Sequence, residues 1–206
     1  MIKIGVVGYG EWGPNMVRMF SQINGVAVSA VSDLRKDSLA IAKKKYPSLD
    51  TFINYSDLVK KVDAVVITSP PATHYKIARE ALQRGLHVLV EKPFVLDLNE
   101  AKELVKLAER KKLTLMVGHI LEYHPAVLYL RDYIVAGNAG EIYYLYAQRL
   151  NLGRIRKEED VVWSFGPHDI STILYILNMK PTEVSAQSES YLQKKIVDVA
   201  FLTLKF

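Results

Sequence analysis

The sequence predicts an α/β fold with a doubly wound parallel sheet, followed by an α+β domain with an open, mainly antiparallel sheet. Three observations carry this. Short apolar strands alternate with amphipathic helical segments over the first 118 residues, the pattern of a parallel sheet covered on both faces. A glycine cluster, "GVVGYGEWG", sits between the first strand and the first helix. After Gly118 the alternation stops, and an aromatic-rich stretch gives way to a helix and two strand-like runs. The domains are therefore expected at 1–118 and 119–206.

The elements follow in order. "IKIGVV" (2–7) reads as a strand, followed by a helix from about Trp12 to Ile23, and "VAVSAVSD" is a second strand. "KDSLAIAKKKY" is a second helix, "DAVVIT" (63–68) a strand, and "HYKIAREALQRG" an amphipathic helix closed by Gly85. "HVLV" is a buried strand, "NEAKELVKLAERKK" a helix and "LTLMVG" another strand. In the second half a helix from about Pro125 to Val135 leads to "EIYYLYAQRLNLG", suited to a long strand. A helix starting near Pro167 precedes "TEVSAQSESYL" and "VDVAFLTLKF", both strand-like. The sheet stops in mid-strand at Phe206, as expected of a chain shorter than its natural domain or of a sheet completed elsewhere.

Composition narrows the class. The 206 residues are 50% hydrophobic and 24% charged, an ordinary globular balance. No apolar run approaches the roughly 20 residues of a membrane span, and the amino terminus enters the first strand without a cleavage-site pattern. No cysteine supports disulfide or thiolate chemistry, which is compatible with a reducing cytoplasm. The net charge of +5 is spread over helix-like segments such as "AIAKKKYP" and "KLAERKKL". That distribution fits solvated faces and acidic small-molecule ligands better than nucleic acid. No metal site is expected.

Gly8, Gly10 and Gly13 have G-x-G-x-x-G spacing after a strand and before a helix, the context a dinucleotide site requires. Gly8 permits the tight turn, Gly10 admits a diphosphate, and Gly13 brings helix and strand together. Glu11 and Trp12, between the last two glycines, join the cofactor-binding set. Asp33, at the end of the second strand, stands where an acid accepts from ribose hydroxyls and disfavours a 2′-phosphate. NAD is therefore expected over NADP. Arg35 either stacks on adenine, meets a phosphate, or lies on the surface. In "TSPPATHY", Thr68, Pro70 and His74 lie at the carboxyl edge of the sheet, where such folds bind ligands. They are candidates to wall the cofactor; for His74 a surface position at a helix start is the alternative.

The strand "HVLV" delivers Glu91, Lys92 and Pro93 to the same edge. Together, "GVVGYGEWG", "SDLR", "TSPPATHY", "EKPF" and the later "GPHDIS" resemble the family of glucose–fructose oxidoreductase, inositol dehydrogenase and the rhizopine-catabolism proteins (Gfo/Idh/MocA), in order from Met1 to Phe206. The resemblance implies an NAD-dependent oxidoreductase acting on a sugar hydroxyl. It makes Lys92 the active-site lysine between nicotinamide and substrate. Glu91 would set the strand end and cofactor contacts, and Pro93 would shape the turn through a cis peptide. A lysine at a partly dry strand tip can also stabilise a developing alkoxide on physical grounds.

His168, after Gly166-Pro167, matches the family's acid/base histidine; a capping or packing histidine is the alternative. Ser164 stands where many members have aspartate, four residues before the histidine. That departure, with "GHILEYHPAV" and "LNLGRIRKEEDVVWSFGPHDIS", resembles the branch of UDP-N-acetylglucosamine and UDP-N-acetylglucosaminuronate 3-dehydrogenases. Arg154, Arg156 and Lys157 suit a diphosphate or a uronate carboxylate, or form a solvated loop balanced by Glu158, Glu159 and Asp160. Tyr123 and Ser164 join the substrate-binding set, with His124 beside Tyr123. Glu122 replaces the arginine of many members, so no substrate role is assigned to it. Trp163 reads as core, with a sugar platform as the alternative. The substrate expected is a nucleotide sugar oxidised at C3. The alternatives are a free sugar, inositol or diol, or a non-catalytic NAD-binding protein. The resemblance implies a homo-oligomer, a dimer or tetramer, in the cytoplasm.

Overall fold

The computed structural model describes residues 1–150 and 160–206. The chain divides into two compact units, Met1–Gly118 and His119–Phe206.

In the first unit the strands are β1 (Ile2–Val7), β2 (Val26–Ser32), β3 (Asp50–Phe52), β4 (Ala64–Ile67), β5 (His87–Val90) and β6 (Leu115–Val117). They form one sheet in the order β3-β2-β1-β4-β5-β6, and every neighbouring pair is parallel. The helices between them are α1 (Gly13–Phe20), α2 (Lys36–Lys45), α3 (Tyr55–Leu58), α4 (His74–Gln83) and α5 (Leu98–Lys111).

Strand alternation sends successive side chains to opposite faces, and both faces are buried. Ile4, Val6, Val31 and Val66 pack with Val17 of α1 and with Leu39 and Ala42 of α2. Val7, Val65, Ile67, Val88 and Val90 pack with Leu58, with Ile77 and Leu82 of α4, and with Leu104 and Leu107 of α5. Gly5 leaves room for Leu58, whose side chain occupies the space a Cβ would need. Asp97 caps α5, its carboxylate accepting the Asn99 and Glu100 amides at 2.8 and 3.0 Å. The strand order turns back between β1 and β4, so a crevice opens at the carboxyl ends of those two strands.

Two elements of this unit do not stand out in the sequence. β3 has three residues, and α3 is a single turn opened by Asn54, whose side chain accepts the Ser56 amide at 3.0 Å. Neither is long enough to show a period.

The second unit holds α6 (Pro125–Val135), α7 (Val161–Leu177), and an antiparallel pair, β7 (Glu183–Glu189) and β8 (Val199–Lys205). Arg131 of α6 donates to the Tyr175 hydroxyl of α7 at 2.9 Å, and its guanidinium lies 4.5 Å from that ring's centroid. The helix expected from Pro167 begins at Val161 instead, with Pro167 inside it. Asp160 is the reason: its carboxylate accepts the Trp163 amide at 2.9 Å and starts the helix early. Pro167 brings no N–H, so the Trp163 carbonyl lacks its usual helical donor. Trp163 is 42% exposed, so the core reading of that residue gives way. The long strand expected from Glu141 does not form over 142–150, where Tyr143, Tyr144 and Tyr146 are exposed. Aromatic strand propensity needs a paired neighbour, and among the described residues β7 and β8 form the one sheet of this unit. Among the described residues no helix is long and apolar enough to cross a membrane.

Candidate active site

The glycine turn is built from backbone requirements. Gly8 has φ +97°, and a Cβ there would lie 2.7 Å from the Ser69 amide nitrogen. A Cβ on Gly13 would collide with the Gly8 carbonyl. Gly10 differs, since the nearest atom to a Cβ is the Arg35 guanidinium at 3.7 Å, so its outer face is open. Thr68 at the end of β4 holds the turn, its hydroxyl donating to the Gly8 carbonyl at 2.7 Å. Asp33 at the end of β2 braces the other side, accepting the Tyr9 amide at 2.7 Å and the Arg35 amide at 2.8 Å. The Arg35 side chain lies 3.4 Å from the same carboxylate and is otherwise exposed.

Glu11 and Trp12 are exposed at the head of α1, where the Trp12 carbonyl accepts the Asn15 and Met16 amides. No side chain caps α1, and no acid lies in its first turn. An open Gly10, an uncapped helix start and a carboxylate at the tip of β2 fit a dinucleotide: the diphosphate over the helix, the ribose toward Asp33.

Pro70 is exposed, and its carbonyl accepts from the backbone and side chain of Thr73 at 2.9 and 2.7 Å. His74 is 1% exposed. Its Nδ1 lies 2.9 Å from the Pro93 carbonyl and its Nε2 2.8 Å from the Ser69 carbonyl. The surface alternative for His74 therefore falls. Both ring nitrogens face backbone carbonyls, so the ring bridges the loop after β4 and the turn after β5.

Beyond β5, the Lys92–Pro93 peptide is cis. Glu91 is 9% exposed, and its carboxylate accepts the Lys92 amide at 3.2 Å. Burial pushes the Glu91 carboxyl above the usual range, against the opposing pull of the Lys92 amide and the Lys92 and His74 charges. Gly118 makes room for it, since a Cβ there would lie 3.2 Å from the carboxyl carbon. This role of Gly118, like the Tyr9 amide bound by Asp33, has no signal in the sequence beyond its neighbours.

In the second unit Ser164 and His168 both lie on α7, one turn apart, and Ser164 is 3% exposed. The His168 carbonyl accepts the Thr172 hydroxyl at 2.7 Å. Asp169 turns to Arg149 in a two-pronged ion pair, with N–O distances of 2.8 and 3.1 Å. Tyr123 ends a short 3-10 turn and is 63% exposed. His124 caps α6, its Nδ1 accepting the Ala126 amide at 3.2 Å. Arg154, Arg156 and Lys157 lie outside the described residues.

The strand order and the glycine turn define a dinucleotide-binding Rossmann fold. The profile of the Gfo/Idh/MocA oxidoreductases, a family with an NAD-binding Rossmann fold, matches residues 2–119, and the chain belongs to that family. It is 33% identical over 189 residues to the UDP-N-acetylglucosamine 3-dehydrogenase of Acidithiobacillus ferrooxidans, covering 90% of this chain and 57% of that protein. A solved structure of that dehydrogenase superposes with a TM-score of 0.88 at 32% identity, covering 98% of this chain and 65% of the other. The rhizopine catabolism protein MocA of Rhizobium meliloti is 32% identical over 144 residues, 68% of this chain and 44% of MocA. The chain thus spans about half the length of these relatives.

Proposed function

We propose that this chain carries the cofactor-binding and catalytic residues of an NAD-dependent dehydrogenase. Its substrate in this reading is a sugar ring hydroxyl, C3 of a UDP-N-acetylhexosamine or its uronate. The observation that carries the reading is Lys92, set just past a buried strand end at the carboxyl edge of the sheet, with β4 between its strand and the one that feeds the glycine turn. Similarity to a UDP-N-acetylglucosamine 3-dehydrogenase over nine-tenths of the chain supports the substrate class.

When bound, the nicotinamide supplies the hydride acceptor. The Lys92 ammonium donates a hydrogen bond to the reacting hydroxyl and stabilises negative charge as it develops. His168 takes the hydroxyl proton, a task imidazole suits near neutral pH. Ser164 orients a substrate hydroxyl, since a serine cannot supply a carboxylate partner. Asp33 favours NAD because its charge opposes a 2′-phosphate. Tyr123, Arg154 and Arg156 contribute to the sugar and diphosphate contacts. The second unit serves substrate binding and assembly into a dimer or tetramer.

A panel of UDP-sugars with NAD, followed at the NADH absorbance band, tests the reading. UDP-N-acetylglucosamine or its uronate is expected to give NADH, and Lys92→Ala or His168→Ala to lower turnover about 10²–10⁴-fold. Wild-type rates in Lys92→Ala would sink the assignment. The second reading, oxidation of a free sugar, inositol or diol, follows from the resemblance to inositol dehydrogenase. NADH formed from inositol but from no UDP-sugar would decide for it.

A further inference from the structure

We infer that His74 is a positioning residue for Lys92, fixing the lysine-bearing turn to the loop after β4. The inference rests on the role given to Lys92 above.

The ring belongs to the first turn of α4, yet it is buried, with a nitrogen toward each of two loops. One nitrogen meets the carbonyl of Pro93, the residue directly after Lys92. The other meets the carbonyl of Ser69, directly after Thr68, whose hydroxyl holds Gly8. A chain of three polar contacts therefore runs from the glycine turn through Thr68–Ser69 and His74 to Pro93. A neutral imidazole can donate to only one of the two carbonyls, whereas an imidazolium donates to both. Either way the two ring nitrogens lie 2.9 and 2.8 Å from the two carbonyls. The buried Glu91 carboxyl, which takes the Lys92 amide, lies within electrostatic reach of the same ring.

Movement of the Pro93 carbonyl displaces the Lys92 main chain with it. Misplacing a catalytic group by about 1 Å can cost about 10²-fold in rate, more than the binding of substrate or NAD, which is spread over many contacts, should lose. A packing histidine would show the opposite profile, with loss of stability and no selective effect on Lys92.

The test compares His74→Phe and His74→Gln with the wild-type chain. Lys92 reactivity is read on the NAD-free protein by trace labelling with acetic anhydride and mass spectrometry, using the other lysines as internal references. Turnover is measured with NAD and the best sugar of the panel. His74→Phe is expected to change Lys92 labelling selectively and to lower kcat about 10–100-fold with KM within about twofold. His74→Gln, which keeps an amide donor, is expected to recover part of both. Unchanged Lys92 labelling in both variants overturns the inference, whatever the rates. Should His74→Phe fail to fold, the labelling of His74→Ala, which also removes both contacts, decides in its place. A wild-type chain that oxidises no sugar refutes the proposed function, and the labelling comparison still decides whether His74 sets Lys92.

Discussion

The Asp33 carboxylate accepts the backbone amide of Tyr9 at 2.7 Å, joining the tip of β2 to the middle of the glycine turn. Its other oxygen accepts the Arg35 amide at 2.8 Å. The acid expected to meet the ribose is therefore also a structural brace of the loop beside it. Asp33→Ala removes two charge-assisted bonds from a nearly buried carboxylate. It is expected to cost about 1.5–3 kcal/mol and to weaken NAD binding. Asp33→Asn keeps acceptors for one of the two amides and removes the charge that opposes a 2′-phosphate. It should lose less stability and raise the ratio of NADP to NAD affinity. Urea denaturation and titration with each dinucleotide separate the two effects.

The three glycines should not respond alike to alanine. Gly8→Ala meets both a positive φ and backbone atoms at 2.7–2.8 Å, and Gly13→Ala meets the Gly8 carbonyl. Each is expected to destabilise the fold by about 1–3 kcal/mol or more. Gly10→Ala meets only the flexible end of Arg35 at 3.7 Å. It should leave the unfolding midpoint within about 0.5 kcal/mol of wild type. NAD affinity should nonetheless fall about tenfold or more, about 1.4 kcal/mol, because the new methyl stands where the diphosphate approaches. Equal destabilisation by all three would refute this division of labour.

Those glycines show what a sequence can convey. Their spacing after "IKIGVV" announces both the turn and its place in the sheet, because the chemistry is local. β5 and its Glu91-Lys92-Pro93 tip are legible for the same reason. His74 is not, since its partners are carbonyls at Ser69 and Pro93, and main-chain acceptors leave no mark on residue identity. β3 is too short to show alternation. Pro167 misled because proline usually opens a helix, whereas Asp160 opens this one six residues earlier. "EIYYLYAQRL" has strand composition, but pairing, which composition does not supply, makes a strand.

Glu91 should make stability fall as pH rises. Burial raises its carboxyl above the usual 4.5, so the folded state prefers the protonated form. Its contribution is fully present below the unfolded value and is lost as pH climbs through the folded one. Glu91→Gln keeps an oxygen for the Lys92 amide and carries no charge to bury. It is expected to unfold at higher temperature than wild type near neutral pH, with the gap closing as pH drops below the folded Glu91 value. Calorimetric scans across pH check this; a gap that widens on acidification would reverse the sign.

Ser164 offers the sharpest test of His168. The two residues lie one turn apart on α7, and Ser164 is 3% exposed. Ser164→Asp installs a carboxylate one helical turn from the imidazole. A carboxylate at that distance favours the charged imidazole and raises its pKa. The base then becomes protonated at higher pH, so the acidic limb of kcat/KM should move upward. Because the new carboxylate is desolvated, the variant should also lose stability, most of all at high pH where the imidazole is neutral and cannot pair with it. Measuring kcat/KM from pH 5 to 9, alongside unfolding midpoints, reads both effects. An acidic limb that stays in place while stability falls would mean that the titrating base is a group other than His168.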